Sequence, residues 1–369
     1  MKTSDMQAKR DRHQRFWQPL TKNEGGYLGI TSPISDDQPP PVTVRAPDSL
    51  EEKWLSADYR VHRTEADAAN MFWGGDAIHN VFVNFGPGVH AALLGAPYAL
   101  KEDSIWFDLH PPIEKWDPIP DWKTDESHPL YQAIIEQTST LCQASKGRYT
   151  VSYTDIGGQY DVLFSLRGEA LLTDMLECPE TVKRAEKRLD DEFLAFFDQL
   201  TDLIGPSGCG FSGWIPMVHD KPWYPLQCDL SVMISPDMFE SFVLPSLDYV
   251  STAIGQSIYH LDGPEEIRHL EMILSLPHIH AIQWVPLPRT DLSRGGQMVQ
   301  RFDDQLSIEL YRKTLAAGKK IVLLGVRPEQ VSPIFEQAGS DGIYVQTFSD
   351  TRKDADLLLE TAQRKWLKL

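Results

Sequence analysis

One short segment, Gln256–Gly263 (QSIYHLDG), combines side chains that bind metals or transfer protons. An apolar run ends in His260 and Asp262, a glycine follows, and a helix-like segment then leads into a second apolar run, IHAIQWVPLP. This order predicts a strand, a polar tip, a helix and another strand. In parallel α/β proteins, the carboxyl ends of the strands carry the chemistry.

His260 and Asp262 flank Leu261, so their side chains project from the same face of the predicted strand. With a third ligand from another strand, the pair would hold zinc or another divalent metal. The structural alternative is that Asp262 caps the helix that opens at Pro264 and His260 is hydrogen-bonded in the interior.

Three further aspartates are candidates for acid, base or ligand roles. Asp229 lies at the preceding strand and is a metal ligand, a general base or a cap of the turn near Ser231. Asp155 ends an earlier strand, and Asp76 precedes another. A carboxylate facing the histidine pair would suit general acid and base catalysis. The candidate catalytic residues are His260, Asp262, Asp229, Asp155 and Asp76.

Amides and tryptophans at strand ends and in loops are candidates for substrate binding. Amides orient polar ligands without charge, and aromatic rings stack on planar groups. The alternative is that the amides are buried and satisfied and that the ten tryptophans fill loop packing. The candidate substrate-binding residues are Trp214, Gln227, Gln283, Trp284, Asn84 and Gln346.

Apolar runs and helical patterns alternate five times from residue 226 to the end, which predicts a parallel sheet with covering helices. Three more strands upstream favour a TIM (β/α)8 barrel, and a doubly wound open sheet is the alternative. We expect residues 1–70 to form an N-terminal extension, residues 71–369 the barrel, and residues 108–128 a long loop insertion. No glycine-rich phosphate loop follows a strand, so no nucleotide cofactor is expected.

The composition of the 369 residues narrows the functional classes. Hydrophobic residues make up 41% and charged residues 24%, which is typical of a globular protein. A formal net charge of −18 disfavours nucleic acids and membrane surfaces as partners. The four cysteines form no CxxC motif, and the polar N-terminus has no apolar signal core. These features predict a cytoplasmic protein that acts on a small molecule.

Four segments resemble the uroporphyrinogen decarboxylase-like superfamily, and the resemblance runs from about Trp73 over most of the chain. They are NFGPGVHAALLGAP, DVLFSLRGEALLTDMLECPETVKRA, CDLSVMISPDMFESFVLPSLDYV and YHLDGPEEIRHLEMILSLPHIHAIQW. The resemblance implies a TIM barrel whose cleft opens at the carboxyl ends of the strands.

The sequence departs from both well-known branches of that superfamily. The arginine-rich signature of the decarboxylases is absent from FWQPLTKNEGGYLGITSP. The methyltransferase branch binds zinc through a His-x-Cys pair and a later cysteine. Here His260 matches the histidine, Asp262 replaces the cysteine, and no cysteine follows Cys228.

The resemblance therefore implies methyl transfer from an O- or N-methyl substrate to a corrinoid carrier protein, with the corrinoid held by that partner alone. The alternatives are a metal-independent decarboxylase or lyase and a non-catalytic binding barrel. A homodimer is a candidate assembly.

Overall fold

A seven-stranded, mostly parallel sheet forms the centre of the protein, as given by a computed structural model that describes residues 3–107, 111–291 and 297–368. The strands are β1 (Tyr27–Pro33), β2 (Met71–Gly75), β3 (Asn80–Val81), β4 (Tyr98–Leu100), β5 (Ile105–Phe107), β6 (Thr150–Val151), β7 (Tyr224–Leu226), β8 (Ser257–Asp262), β9 (Ile279–Val285), β10 (Pro288–Asp291), β11 (Gln297–Gln300), β12 (Lys320–Val326) and β13 (Ile343–Phe348).

Helices follow most of the parallel strands along the chain. The α-helices are α1 (Thr3–Phe16), α2 (Leu50–Leu55), α3 (Ala57–Asn70), α4 (Val89–Leu93), α5 (Pro129–Ser145), α6 (Gln159–Arg167), α7 (Ala170–Glu177), α8 (Pro179–Ile204), α9 (Pro236–Met238), α10 (Leu244–Ile254), α11 (Leu270–Ser275), α12 (Gln305–Ala316), α13 (Pro328–Ala338) and α14 (Arg352–Lys365). Short 3-10 turns cover Gly205–Ser207, Asp229–Met233 and Pro264–His269, and a π-turn covers Phe239–Val243. Within the described ranges, none of these helices is both long and apolar enough to cross a membrane.

The strand order in the sheet is β2-β1-β13-β12-β9-β8-β7, with β2 alone antiparallel to its neighbour. The first and last parallel strands, β1 and β13, are direct neighbours. Strands β3 and β6 form a separate parallel pair. The predicted α/β class is confirmed, but the ladders of the described residues define seven strands and a pair rather than eight strands in a closed barrel. The strands of the first half are too short to extend the ladder, because β3 and β6 span only two residues each.

Successive side chains of a strand point to opposite faces, so the two faces of the sheet carry different residues. One face, here named the site face, begins with a layer of apolar side chains that packs on Phe16 of α1 and on Trp17, which follows that helix. The next residues on this face are polar and include His260, Gln283 and Gln346. The opposite face packs on the helices in the main hydrophobic core. The apolar layer of the site face consists of Tyr27, Ile258, Ala281, Val322 and Tyr344.

The N-terminal residues are integrated with the sheet. Strand β1 lies between β2 and β13, so the predicted extension 1–70 contributes a central strand. Arg12 of α1 donates to both carboxylate oxygens of buried Asp76. His13 accepts a hydrogen bond from the backbone of Val218 at 2.9 Å, and its other ring nitrogen lies 2.8 Å from the carbonyl of Asp76. These bonds fix α1 across the amino end of β1.

The predicted insertion at 108–128 is irregular over its described part, residues 111–128, and packs on helices. Trp116 donates to Asp174 of α7 at 2.7 Å. Trp122 is buried and donates to the carbonyl of Ala185 in α8 at 2.9 Å. Both indoles therefore serve packing of the loop rather than contact with a substrate.

Candidate functional site

His260 is oriented by the neighbouring strand. The parallel register of β8 and β9 places it opposite Gln283 on the site face. The side-chain oxygen of Gln283 accepts a hydrogen bond from Nδ1 of His260, so Nδ1 carries the proton and Nε2 offers a lone pair. The ring of Trp214 meets the imidazole edge to face, with centroids 4.7 Å apart and an interplanar angle of 89°. The imidazole is thus held in one tautomer and one orientation.

Asp229, His260 and Asp262 bring three potential metal ligands together. Each offers one ligand atom, and these atoms lie within 4.8 Å of one another. Both carboxylates are exposed and the imidazole is half-buried. Ligands of a tetrahedral zinc ion lie about 3.4 Å apart, given bonds of about 2.1 Å. The exposed carboxylates would have to rotate inward to hold such an ion, and two carboxylates with one imidazole suit zinc or a harder divalent ion.

Local backbone structure brings these three residues to the carboxyl ends of β7 and β8. Gly263 has a φ of 99°, which favours glycine, and it turns the chain immediately after Asp262. Asp229 opens the 3-10 turn that follows β7. Asp161 of α6 accepts hydrogen bonds from the backbone N–H groups of Asp229 at 3.0 Å and Leu230 at 2.8 Å. The half-buried Asp161 side chain therefore fixes the turn that presents Asp229.

This anchoring requires a glycine at position 158. A Cβ atom there would lie 2.3 Å from the carbonyl oxygen of Gln227 and 2.5 Å from the Oδ2 atom of Asp161. Gln227 is itself buried at the end of β7. The close approach of the two chain segments thus depends on the missing side chain of Gly158.

Asp155 lies beside the cluster in a nearly dry position. Its carboxylate accepts hydrogen bonds from the Gly157 backbone at 2.9 Å and from the hydroxyl of Tyr224 at 3.3 Å. Burial raises the pKa of Asp155, and the nearby charge of His260 opposes that shift. A carboxyl group with a raised pKa, next to an imidazole, is suited to donating a proton.

Glu266 adds a further buried acid beneath Asp262. It is 0% exposed, and its Oε2 atom accepts a hydrogen bond from the Asp262 backbone at 3.3 Å. Burial, followed by the negative charge of Asp229, raises the pKa of Glu266 to about 9. Partial loss of water raises the pKa of Asp229 as well, with His260 opposing and Asp262 adding to the shift. The site concentrates negative charge, so a cation would relieve its repulsion.

Two of the predicted site residues lie away from this cluster. Asp76 accepts from the backbone of Leu28 at 2.9 Å, at the amino end of β1 and so at the opposite end of the parallel strands. Its paired carboxylate serves the attachment of α1. Trp284 is fully buried on the helix face and donates to Ser307 of α12 at 3.0 Å. The pleat turns it away from its neighbour Gln283.

Asn84 and Gln346 have local partners. Asn84 is exposed, and its side-chain oxygen accepts from the Gly86 backbone at 2.9 Å, which stabilises a turn. The side-chain oxygen of Gln346 accepts from the hydroxyl of Tyr344 at 2.6 Å. This bond leaves the Gln346 amide N–H groups on the site face as donors for a ligand.

Three residues of this site were not predicted from the sequence. Asp161 stands within a helical pattern, Glu266 within a charged turn, and Tyr224 in an apolar run. Only the buried contacts that they make in the folded protein distinguish them from ordinary residues of these patterns. The sequence signal for Asp161 and Glu266 was their position shortly after strand ends. This signal is weak, because the helix dipole favours acidic residues in the first turn of any helix.

Comparison with known proteins gives a likeness in structure and none in sequence. No protein family and no curated protein matches the sequence of the chain. Among solved structures, a methyltransferase from Methanosarcina mazei superposes with a TM-score of 0.58 at 9% sequence identity. The match covers 97% of this chain and 98% of that protein. At this identity, the comparison establishes a shared fold over nearly the whole length of both chains.

Proposed function

We propose that this protein is a methyltransferase that moves a methyl group from an O- or N-methyl substrate to a corrinoid carrier protein. The observation that carries the proposal is the convergence of Asp229, His260 and Asp262 at the carboxyl ends of two adjacent parallel strands. The shared fold with a methyltransferase supports it. The expected architecture is a barrel that closes through the short strands of the first half.

Cleavage of an O–CH3 or N–CH3 bond leaves an electron pair on the heteroatom. A divalent metal held by Asp229, His260 and Asp262 would supply Lewis acidity at that atom. Asp155 would donate the proton that the leaving heteroatom takes up, since burial raises its pKa. Gln346 and Trp214 would bind and orient the rest of the substrate.

The donor set favours oxygen or nitrogen substrates over thiols. Zinc sites that activate thiols are rich in thiolate ligands, whereas the ligands here are two carboxylates and an imidazole. Cys228, the cysteine nearest the cluster in sequence, is buried, and burial raises its pKa well above the ordinary value. It is therefore unsuited to metal binding.

A partner protein is supported by the apolar side chains around the same strand ends. Val232 and Met233 follow β7, Leu287 follows β9, and Phe348 ends β13, and all four are exposed. Exposed apolar groups at the mouth of a polar site are typical of a docking surface. A corrinoid carrier would cover them while presenting its cofactor to the substrate.

The test combines metal analysis with a transfer assay. We expect the purified protein to contain about one zinc or other divalent ion per chain, and His260→Ala/Asp262→Ala to lose it. His278→Ala is the matched control, because that histidine bonds the Gly255 carbonyl at 3.0 Å and precedes β9 at the other end of the sheet. The wild type should then methylate reduced free corrinoid from one member of an O- and N-methyl substrate panel.

A metal-independent decarboxylase or lyase is the second candidate, and the raised pKa values of Asp155 and Glu266 favour it. Absence of metal from wild-type protein after incubation with excess zinc would refute the metal site and favour this alternative. Bound metal without methyl transfer to corrinoid from any substrate of the panel would refute the methyltransferase proposal.

A further inference from the structure

A separate cavity lies between α3, β2 and the residues that precede β3 and β6. Its volume is about 160 Å³, and it opens to solvent on one side. None of its lining residues belongs to the cluster around His260. The cavity is lined by Glu65, Ala68, Ala69, Trp73, His79 and Arg148.

His79 is the central polar group of this cavity. The residue is 5% exposed, and its ring stacks on Trp73 with centroids 4.7 Å apart and an interplanar angle of 21°. Tyr149 packs against the same ring, with centroids 5.3 Å apart. Over the described ranges, neither nitrogen of the imidazole has a hydrogen-bond partner. These nitrogens are not among the fully buried polar atoms that lack a partner, so solvent or a ligand in the cavity can reach them.

The described charged groups that act on His79 are one acid, Glu65, and two arginines, Arg148 and Arg60. Burial lowers the pKa of His79 to about 4, so the imidazole is neutral and offers one acceptor and one donor nitrogen. Arg148 and Glu65 form a bidentate ion pair at the rim, with one of its two bonds at 2.6 Å. The indole N–H of Trp73 is buried and has no hydrogen-bond partner among the described residues. The stacked ring and the buried indole N–H thus favour a flat ligand with a polar group.

We propose that this cavity binds a small neutral phenol, with its ring among Trp73, Ala68 and Ala69 and its hydroxyl hydrogen-bonded to His79. An apolar cavity of about 150 Å³ accommodates benzene, so a single ring with one hydroxyl matches the volume. The hydroxyl would donate to the acceptor nitrogen of the neutral imidazole. This inference is independent of the proposed function, since it shares no residue with the metal cluster.

The test is a titration of 15N-labelled protein with phenol, with the indole N–H signal of Trp73 as the reporter. Trp73→Phe identifies that signal by its loss. We expect a saturable shift with a Kd of about 1 mM, which is typical of a small ligand with one hydrogen bond. Ala69→Leu fills the cavity and should abolish the shift. His79→Phe keeps a ring but removes the hydrogen bond, and should weaken binding about tenfold.

His90→Phe is the matched control, because His90 is also buried and stacks on Phe196 with centroids 5.8 Å apart, away from this cavity. Its phenol affinity should equal that of the wild type. The proposal is overturned by the absence of a saturable shift up to about 20 mM phenol, or by unchanged binding in His79→Phe. Benzene that binds wild-type protein as tightly as phenol would also overturn the role of the hydroxyl, and this comparison requires no folded variant.

Discussion

Replacement of Glu266 by glutamine should change how the stability of the protein depends on pH. Burial and the charge of Asp229 raise the pKa of Glu266 from 4.5 to about 9, so the folded state binds one more proton than the unfolded state between these values. The free energy of unfolding then falls as pH rises, by at most about 1.4 kcal/mol per pH unit. This contribution is complete below pH 4.5 and is lost as the pH approaches 9. Glutamine cannot ionise, so Glu266→Gln loses this slope.

Urea unfolding at several pH values between 6 and 8, in the presence of a chelator, measures the effect. Relative to wild type, Glu266→Gln should gain up to about 3 kcal/mol over these two pH units, since each unit contributes about 1.4. Glu271→Gln is the control, because Glu271 is exposed and its pKa is lowered by Lys313, whose Nζ lies at 2.7 Å. That variant should show no such gain. Parallel stability curves for wild type and Glu266→Gln would refute the reasoning.

Three further substitutions separate stability from the candidate site. Arg12→Met leaves Asp76 buried and unpaired and should lower the free energy of unfolding by about 3 to 5 kcal/mol in urea, with the metal content unchanged; a change below 1 kcal/mol would contradict the ion-pair account. Gln283→Leu removes the hydrogen bond that orients His260 and should weaken zinc binding about 10- to 100-fold in a chelator competition, whereas equal affinity would exclude this role. Trp284→Ala should cost about 3 to 5 kcal/mol of stability by denaturant unfolding but leave zinc affinity unaltered, since the indole is fully buried on the helix face.

Regular elements of the second half were predictable because strong local patterns specify them. The amphipathic pattern predicts a helix over 179–203, and the structure has α8, Pro179–Ile204, with proline in its first turn and Gly205 after its end. The apolar run over 321–326 predicts a strand, and the structure has β12, Lys320–Val326. In contrast, the apolar pattern predicts a strand over 226–234, whereas β7 ends at Leu226, because the Asp161 carboxylate accepts hydrogen bonds from the N–H groups of Asp229 and Leu230 and turns the chain. A contact between residues 68 positions apart leaves no local signal.

The candidate site was partly predictable for the same reason. Side chains alternate between the two faces of a strand, so His260 and Asp262, two residues apart, were predicted to share one face. That prediction needs only three residues of sequence. The same alternation excludes Trp284 from the face that carries Gln283, so grouping the two as strand-end ligands neglected the pleat. Asp76 resembled a strand-end acid, but its partner Arg12 comes from a helix 64 residues earlier. Sequence spacing alone does not distinguish the two ends of a strand.

The repulsion among the carboxyl groups around His260 supports the proposed cationic centre. A proton relay requires one acid and one base with separated pKa values. Here Asp155, Asp229 and Glu266 all have raised pKa values, and each shift includes repulsion from a neighbouring carboxylate. Asp229 and Asp262 are nonetheless held within ligand distance of a single imidazole whose free nitrogen is fixed by Gln283. Because a divalent cation converts that repulsion into attraction, its binding is the change that stabilises this geometry most directly.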